Sequence, residues 1–324
     1  MSHAIRIHAT GGPEVLHYED VTVGDPGPGE ARVRHAAIGV NYIDTYHRSG
    51  VYKLALPSGI GMEAAGIVEA VGANVDTVAP GDRVAYCSGP LGAYSDVRVM
   101  PADVLIKLPD GVADRVAATL MLKGLTVQYL FRQTHKLKAG DTIVFHAAAG
   151  GVGLIACQWA RALGVTMIGT VSSDEKAALA KANGCTHTIV YTRENMVERV
   201  KALTNGKGVP VVYDGVGKDT FPASLDCLAT RGTWVCYGAA SGPVPPFDIL
   251  MLAQKGSLYA TRPTLATYAT PRSALLAMSQ DMFSLVQAGK LVNEPRQSYA
   301  LRDAATAHRD LESRKTSGST VLLP

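Results

Sequence analysis

Thr142-Ile143-Val144-Phe145-His146-Ala147-Ala148-Ala149-Gly150-Gly151-Val152-Gly153 is a short apolar run that stops in glycine and resumes as an uncharged stretch as far as Ala160. Its length alone would suit a membrane span. Three glycines behind a four-residue apolar run argue instead for a strand, a tight turn and a buried helix that closes at Gly164. Gly150 lets a backbone approach a pyrophosphate, Gly153 allows close helix–strand packing, and the start of the expected helix, Leu154–Leu163, supplies free N–H groups that favour an anion. A dinucleotide is the expected ligand, although Ala147 stands where G-x-G-x-x-G has its first glycine.

The next apolar strand ends Val171-Ser172-Ser173, about twenty residues on, where an NAD site would carry an acid for the ribose hydroxyls. Two serines followed by Lys176 suit a 2′-phosphate instead, so NADPH is favoured over NADH. Asp174 and Glu175 are the counter-argument, read here as acids at the start of a helix.

Working outward, apolar strands are expected at 142–145, 167–171, 188–191, 209–213, 233–237 and 257–260, with helices between them. Strands apolar along both faces belong in a parallel sheet covered on both sides, which makes this part doubly wound α/β. Residues 1–120 read differently, as short strands bounded by Asp25-Pro26-Gly27-Pro28-Gly29 and Ala79-Pro80-Gly81-Asp82. They form an all-β, barrel-like part. The last sixty residues show no further β–α repeat and are expected to return to it.

With 324 residues, 47% hydrophobic and 18% charged, the chain is too apolar for disorder and long enough for two lobes. A net charge of +3 spread thinly implies neither a nucleic-acid nor a membrane surface. Five separated cysteines without a CxxC pair argue against disulfides and a cysteine-rich zinc site. The start Met1-Ser2-His3 has no basic flank and apolar core, so a cytoplasmic protein is expected.

Gly61-Met62-Glu63-Ala64-Ala65-Gly66 resembles the G-H-E-x-x-G of the zinc alcohol dehydrogenases in the medium-chain dehydrogenase/reductase superfamily, with Met62 in place of the histidine ligand. Asn41 stands where those enzymes supply a cysteine. The whole chain is most similar to the zinc-free, zeta-crystallin-like quinone oxidoreductase branch. That likeness is carried by Gly11-Gly12-Pro13-Glu14-Val15-Leu16, Asn41-Tyr42-Ile43-Asp44-Thr45-Tyr46, Arg48-Ser49-Gly50, Lys123-Gly124-Leu125-Thr126, Tyr213-Asp214-Gly215-Val216-Gly217, Thr261-Arg262-Pro263 and Glu312-Ser313-Arg314.

The resemblance implies a GroES-like β-barrel catalytic domain (1–124), a Rossmann-type NADPH-binding domain (125–262), a C-terminal return (263–324), no metal, and a homodimer. It implies that Asn41, Asp44, Tyr52 and Thr126 line the nicotinamide end of the site. Gly151 and Val152 would meet the pyrophosphate, Ser172, Lys176, Tyr191 and Arg314 would surround the 2′-phosphate, and Val216, Gly238, Ser241, Arg262, Pro263 and Thr264 would complete the groove. The expected activity is NADPH:quinone reduction, with Asn41 and Tyr52 hydrogen bonding an acceptor oxygen. Reduction of α,β-unsaturated carbonyls and a non-catalytic NADPH-binding role are the alternatives.

Other residues take plainer readings. His47 and Arg48 read as a solvated edge, His146 as a neutral core histidine, Cys157 and Cys236 as inert core thiols, and Tyr42 and Tyr46 as packing. Lys123 fits either the site or a domain-junction surface.

Overall fold

The computed structural model describes residues 2–324; Met1 lies outside them. Two compact units emerge, one built from the residues up to Leu125 with Ala269–Gln287 and Asn293–Pro324, the other from Thr126–Tyr268 with Ala288–Val292.

The first unit is mostly antiparallel sheet. Strands β1 (Ser2–Ile7), β2 (His17–Val21) and β3 (Glu30–Val40) lead into helix α1 (Tyr42–Ser49), followed by β4 (Ser58–Gly59), β5 (Glu63–Val71), β6 (Arg83–Tyr86), β7 (Val97–Pro101) and β8 (Ile106–Lys107). Along β3, Ala31, Val33 and His35 are buried while Arg32 is half-buried and Arg34 and Ala36 are exposed, as period-two alternation requires. The pairing with β5 then shifts between His35 and Ala37, and Ala37, Ile38, Gly39 and Val40 are all buried. That irregularity turns the end of the strand inward. Register does the rest: Gly39 pairs with Glu63, so the first residue of β5 lies beside the chain as it leaves β3 for Asn41 and α1. A Cβ at Gly39 would overlap both Ala118 O and Glu63 Oε2, so glycine is required there.

Helix α2 (Asp114–Tyr129) carries the chain into the second unit. There, β9 (Thr142–Phe145), α3 (Gly151–Leu163), β10 (Thr166–Val171), α4 (Asp174–Ala182), β11 (His187–Val190), α5 (Met196–Leu203), β12 (Val209–Asp214), α6 (Ala223–Asp226), β13 (Leu228–Cys236), α7 (Leu250–Gln254), β14 (Tyr259–Thr261) and α8 (Leu265–Tyr268) follow in order. Among the described residues the sheet has six parallel strands in the order β11-β10-β9-β12-β13-β14. This is the doubly wound arrangement the sequence leads one to expect. Strand order reverses between β9 and β12, the point where such sheets bind ligands outside the carboxyl ends of their strands. Val144, Ile168, Ile189, Val212 and Trp234 fill the core beneath.

The chain then rejoins the first unit through α9 (Arg272–Gln287), β15 (Gln297–Ala300), α10 (Ala304–Glu312) and β16 (Thr320–Leu323). Strand β16 pairs with β3, extending the larger sheet in the order β15-β16-β3-β5-β6-β8, with β7 also on β3.

Candidate active site

In the second unit, β9 ends in a turn that bares backbone. Gly150 caps α3 without any side-chain hydrogen bond, so the N–H groups of the first helical turn have no partner within the helix. A Cβ at Gly153 would overlap Ala147 O, and one at Gly238 would overlap Gly215 O. Both glycines are therefore demanded by the close approach of the β9, β12 and β13 turns. Ala147 adopts φ +55°, the left-handed conformation that a glycine would take more cheaply.

Asp214, at the end of β12, holds the neighbouring turn. Its carboxylate accepts from Val216 N–H (2.9 Å), Gly217 N–H (3.0 Å), Thr220 and Ser224 hydroxyls (2.8 and 2.9 Å) and Trp234 Nε1 (3.1 Å). Burial would raise its pKa, but His146 and these donors together pull it below the usual range. Ser241 extends the scaffold: its hydroxyl donates to Val216 O and accepts from Asp219 N–H, both at 2.9 Å. Arg262 Nη1 donates to Cys236 O at 2.8 Å, Pro263 is buried, and Thr264 pairs with Thr267.

Beyond β10, Ser172 is half-buried and Ser173 caps α4, its hydroxyl accepting from Lys176 N–H at 3.3 Å. Asp174 and Glu175 thus occupy the first turn of the helix, not its cap. Arg193 grips the Asp174 carboxylate with two nitrogens at 2.6 and 2.5 Å. Asp174 is thus held by Arg193, while Ser172, Ser173 and Lys176 are half-buried and Tyr191 is exposed. Thr126 is buried in the run of α2.

The first unit gathers side chains where the second offers backbone. Asn41 caps α1 in a capping box: its side chain accepts from the Asp44 N–H, while the Asp44 carboxylate accepts from Asn41 N–H at 2.8 Å. Asn41 Nδ2 also donates to Glu63 Oε2 at 2.7 Å, and Glu63 Oε1 accepts from Leu122 N–H at 2.7 Å. Lys123 Nζ lies 3.4 Å from Glu63 Oε2, and both are buried. Burial raises the Glu63 carboxyl above its usual range, with Lys123 pulling the other way. Asp44 Oδ1 is buried with no hydrogen-bond partner in the protein, an orphan left for a group from outside the chain. Tyr42, Tyr46 and Tyr52 form an edge-to-face ladder with centroids 5.6 and 5.4 Å apart, and Tyr52 is exposed. Arg314 follows α10, exposed, with φ +60°.

Two plainer readings change. Arg48 is not on a solvated edge but 2% exposed, its guanidinium engaged by Glu312, His308 and Gly11 O. Lys123 is not a surface lysine. His146 is a core histidine as expected, bridging Thr170 and Ser224 at 2.9 and 3.0 Å, with burial lowering its pKa. No local pattern marks the chain of contacts from Arg48 through His308 and the Tyr94 hydroxyl to Asp44, although Arg48-Ser49-Gly50 and Glu312-Ser313-Arg314 both carry the family resemblance.

Residues 27–110 match the model of the alcohol dehydrogenase GroES-like domain, and residues 151–270 that of the zinc-binding dehydrogenases. Over its whole length the chain is 57% identical to all of a quinone oxidoreductase from Pseudomonas aeruginosa. The chain belongs to the quinone oxidoreductases of the medium-chain dehydrogenase/reductase superfamily. A crystal structure of the Escherichia coli quinone oxidoreductase complexed with NADPH superposes with a TM-score of 0.98 at 49% identity, each chain covered in full. Another relative of this quinone oxidoreductase, at 49% identity over 100% of the chain and 99% of its own, is a 2-haloacrylate reductase from a Burkholderia species. Positions 41 and 62 lie outside the stretch that matches the zinc-binding dehydrogenases. Among the described residues, no group of three or more His, Cys, Asp or Glu could hold a metal, and no helix is long and apolar enough to cross a membrane.

Proposed function

We propose that this protein is an NADPH-dependent quinone oxidoreductase that works without a metal. The observation that carries it is the bare glycine turn of the second unit, with N–H groups unpartnered within the helix ahead of Ser172, Ser173 and Lys176; the first unit separately holds a buried Asn41–Glu63–Lys123 cluster. NADPH, when bound, supplies the hydride. Gly150, Gly151 and Val152 hold its pyrophosphate; Ser172, Lys176, Tyr191 and Arg314 its 2′-phosphate; Val216, Gly238, Ser241, Arg262, Pro263 and Thr264 the rest of the groove; and Asn41, Asp44 and Thr126 its nicotinamide end.

Lys123 replaces a metal's positive charge and repels a divalent cation from Glu63. The chemistry tolerates this. Reducing a simple ketone develops an alkoxide, about as costly as hydroxide from water near pKa 15.7, whereas a quinone develops a phenol-like oxygen near 10. The difference, roughly 8 kcal/mol, is stabilisation that no metal need provide. Asn41 and Tyr52 offer hydrogen bonds to that oxygen, and the tyrosine ladder offers a flat acceptor an aromatic wall.

The Burkholderia relative favours a second reading, reduction of an activated alkene, which needs the same conjugated sink. Five free, buried cysteines fit a reducing cytoplasm. Strand β14 is a sheet edge with Tyr259 61% exposed, which suits pairing with its two-fold mate in a homodimer. Light scattering at micromolar concentration checks that. The decisive assay is NADPH oxidation with 1,4-benzoquinone and with an enone, in chelator-treated protein and with NADH in parallel. Chelator-resistant, NADPH-selective quinone turnover is expected; turnover of the enone alone would transfer the assignment to alkene reduction, and binding of NADPH without turnover would leave a non-catalytic role.

A further inference from the structure

The two oxygens of Asp44 live in different surroundings. Oδ2 accepts from Asn41 N–H at 2.8 Å and from the Tyr94 hydroxyl at 2.9 Å, while Oδ1 is closed off from solvent with no partner. An unsatisfied buried polar atom costs about 1–3 kcal/mol, so the arrangement is wasteful unless something from outside the chain meets Oδ1.

The bonds to Oδ2 are dictated from behind. Arg48 is clamped by Glu312 at 2.9 and 2.7 Å and donates to Gly11 O at 3.1 Å, and its Nη1 lies 3.0 Å from His308 Nδ1. A guanidinium can only donate, so Nδ1 accepts and the His308 proton resides on Nε2. Burial, reinforced by Arg48, keeps that ring neutral by lowering its pKa to about 3. Nε2 therefore donates to Tyr94 Oη at 3.1 Å, and the tyrosine hydrogen is left to point at Asp44 Oδ2. Oδ2 already receives two donors, so a proton held by Asp44 sits on Oδ1.

Asp44 holds one readily. Burial raises its pKa to about 7, with Glu63 adding to the rise, against the lowering effect of the Asn41 N–H, Tyr94 and Lys123. The charged or titratable groups facing it are Glu63 on β5, Lys123 on α2 and Tyr94, with His308 on α10 and Arg48 on α1 behind the tyrosine.

We propose that Asp44 is a catalytic acid of the reduction, releasing the proton on Oδ1 to the acceptor oxygen, and that Tyr94, His308 and Arg48 are positioning residues that choose which carboxyl oxygen carries it. This role rests on the quinone oxidoreductase reading above. The acceptor, having gained a hydride from the reduced nicotinamide, has an anionic oxygen. The Asp44 O–H bond breaks, an O–H bond forms on the acceptor, and the opening that admits the acceptor to Oδ1 lets water return the proton once product has left. No electrons move in this step.

Asp44→Asn is a mild test, because the amide oxygen can accept both bonds made to Oδ2 while the NH2 stands where the protonated Oδ1 stood, yet no proton can be released. Carbon-13 NMR of aspartate carboxyls in the full chain without cofactor should show one that titrates near neutrality. It should vanish in Asp44→Asn and move upward in Tyr94→Phe, whose lost hydroxyl favoured the carboxylate. At saturating NADPH, a series of benzoquinones whose hydroquinones differ in acidity supplies the second readout, since a weakly basic acceptor anion needs no acid. Asp44→Asn should lower kcat about 100-fold for the least acidic hydroquinone and progressively less towards the most acidic. An Asp44 carboxyl titrating in the ordinary range, or a loss equal for every quinone, overturns the role alone. No quinone turnover by the wild-type protein with NADPH bound overturns the functional reading and this role with it.

Discussion

The two units prepare for a ligand in opposite ways. The parallel-sheet unit clears space: its turns at Gly150–Gly153, Gly215–Gly217 and Gly238 present backbone, and the side chains nearby, Asp214 and Ser241, are occupied in bracing those turns. The antiparallel unit concentrates charge, drawing Asn41, Asp44, Glu63, Tyr94 and Lys123 into a buried cluster. A cradle of backbone fails when an atom is added; a cluster of buried charges fails when one is taken away. The contrast teaches where each unit is fragile, and substitutions of opposite kind should separate them.

Lys123→Met carries the largest expected effect. It leaves Glu63 buried beside Asn41 without its cation, and breaking such a pair costs about 3–5 kcal/mol of stability. Urea denaturation measures it, and the double variant Glu63→Gln with Lys123→Met should recover much of the loss. A single-variant cost below about 1 kcal/mol would mean that the cluster is not held by charge.

The titration of Asp44 gives the next. Its folded pKa, raised to about 7, exceeds the unfolded value near 3.8, so the folded state binds more protons between those limits. Stability must then fall as pH rises from about 4 through about 7 on this group's account, by roughly 4 kcal/mol in all. Asp44→Asn lacks this slope, so the stability difference between variant and wild type should move in the variant's favour across that window. Parallel curves for the two would place the Asp44 pKa in the normal range.

In the cradle, Gly153→Ala should cost about 1–3 kcal/mol, because the methyl meets Ala147 O. Gly150→Ala makes the useful contrast. Gly150 sits at φ −78°, and its added Cβ would stand 3.2 Å from Ala147 O, a tight contact relieved by a shift of a few tenths of an ångström, so Gly150→Ala should cost less than Gly153→Ala. Lys176→Ala removes a charge-assisted contact, for which about 1.5 kcal/mol, or roughly tenfold weaker NADPH binding with NADH unchanged, is expected by fluorescence titration. Equal losses for both cofactors would detach Lys176 from the 2′-phosphate.

This same difference decides how much could be read from the sequence. The cradle is contiguous, so its strand, turn and helix are legible as one motif, and the 142–145 strand is found where expected. Strand β13 begins earlier than expected, at Leu228, because Thr230, Arg231 and Gly232 interrupt the apolar pattern at an irregularity, where Arg231 turns to φ +61° and the pairing with β12 shifts register. The charged cluster is assembled by register and topology. Glu63 meets Asn41 through the pairing of β5 with Gly39, and Arg48 meets Glu312 across 264 positions of sequence. Nothing local marks Arg48 as buried, which is why a polar helix end looked like a solvated edge. Lys123 was ambiguous for the same reason, its partner lying sixty residues away.

Ala147 is where the two kinds of fragility meet, and it carries the smallest prediction. As the residue that replaces the first glycine of the motif, it is held at φ +55°, which costs an L-residue roughly 1–2 kcal/mol. Ala147→Gly removes that strain but gives the unfolded chain more freedom, which costs about 0.4–1 kcal/mol in return. The net should lie between no change and a gain of about 1.5 kcal/mol in urea denaturation. Ala147 is exposed, so its methyl supports no core packing that the change would forfeit. NADPH affinity should stay within about twofold, because the backbone conformation of the turn is already the one glycine would take. A tenfold change in affinity at unchanged stability would show that the methyl itself touches the dinucleotide, and that this cradle recognises its ligand partly through a side chain.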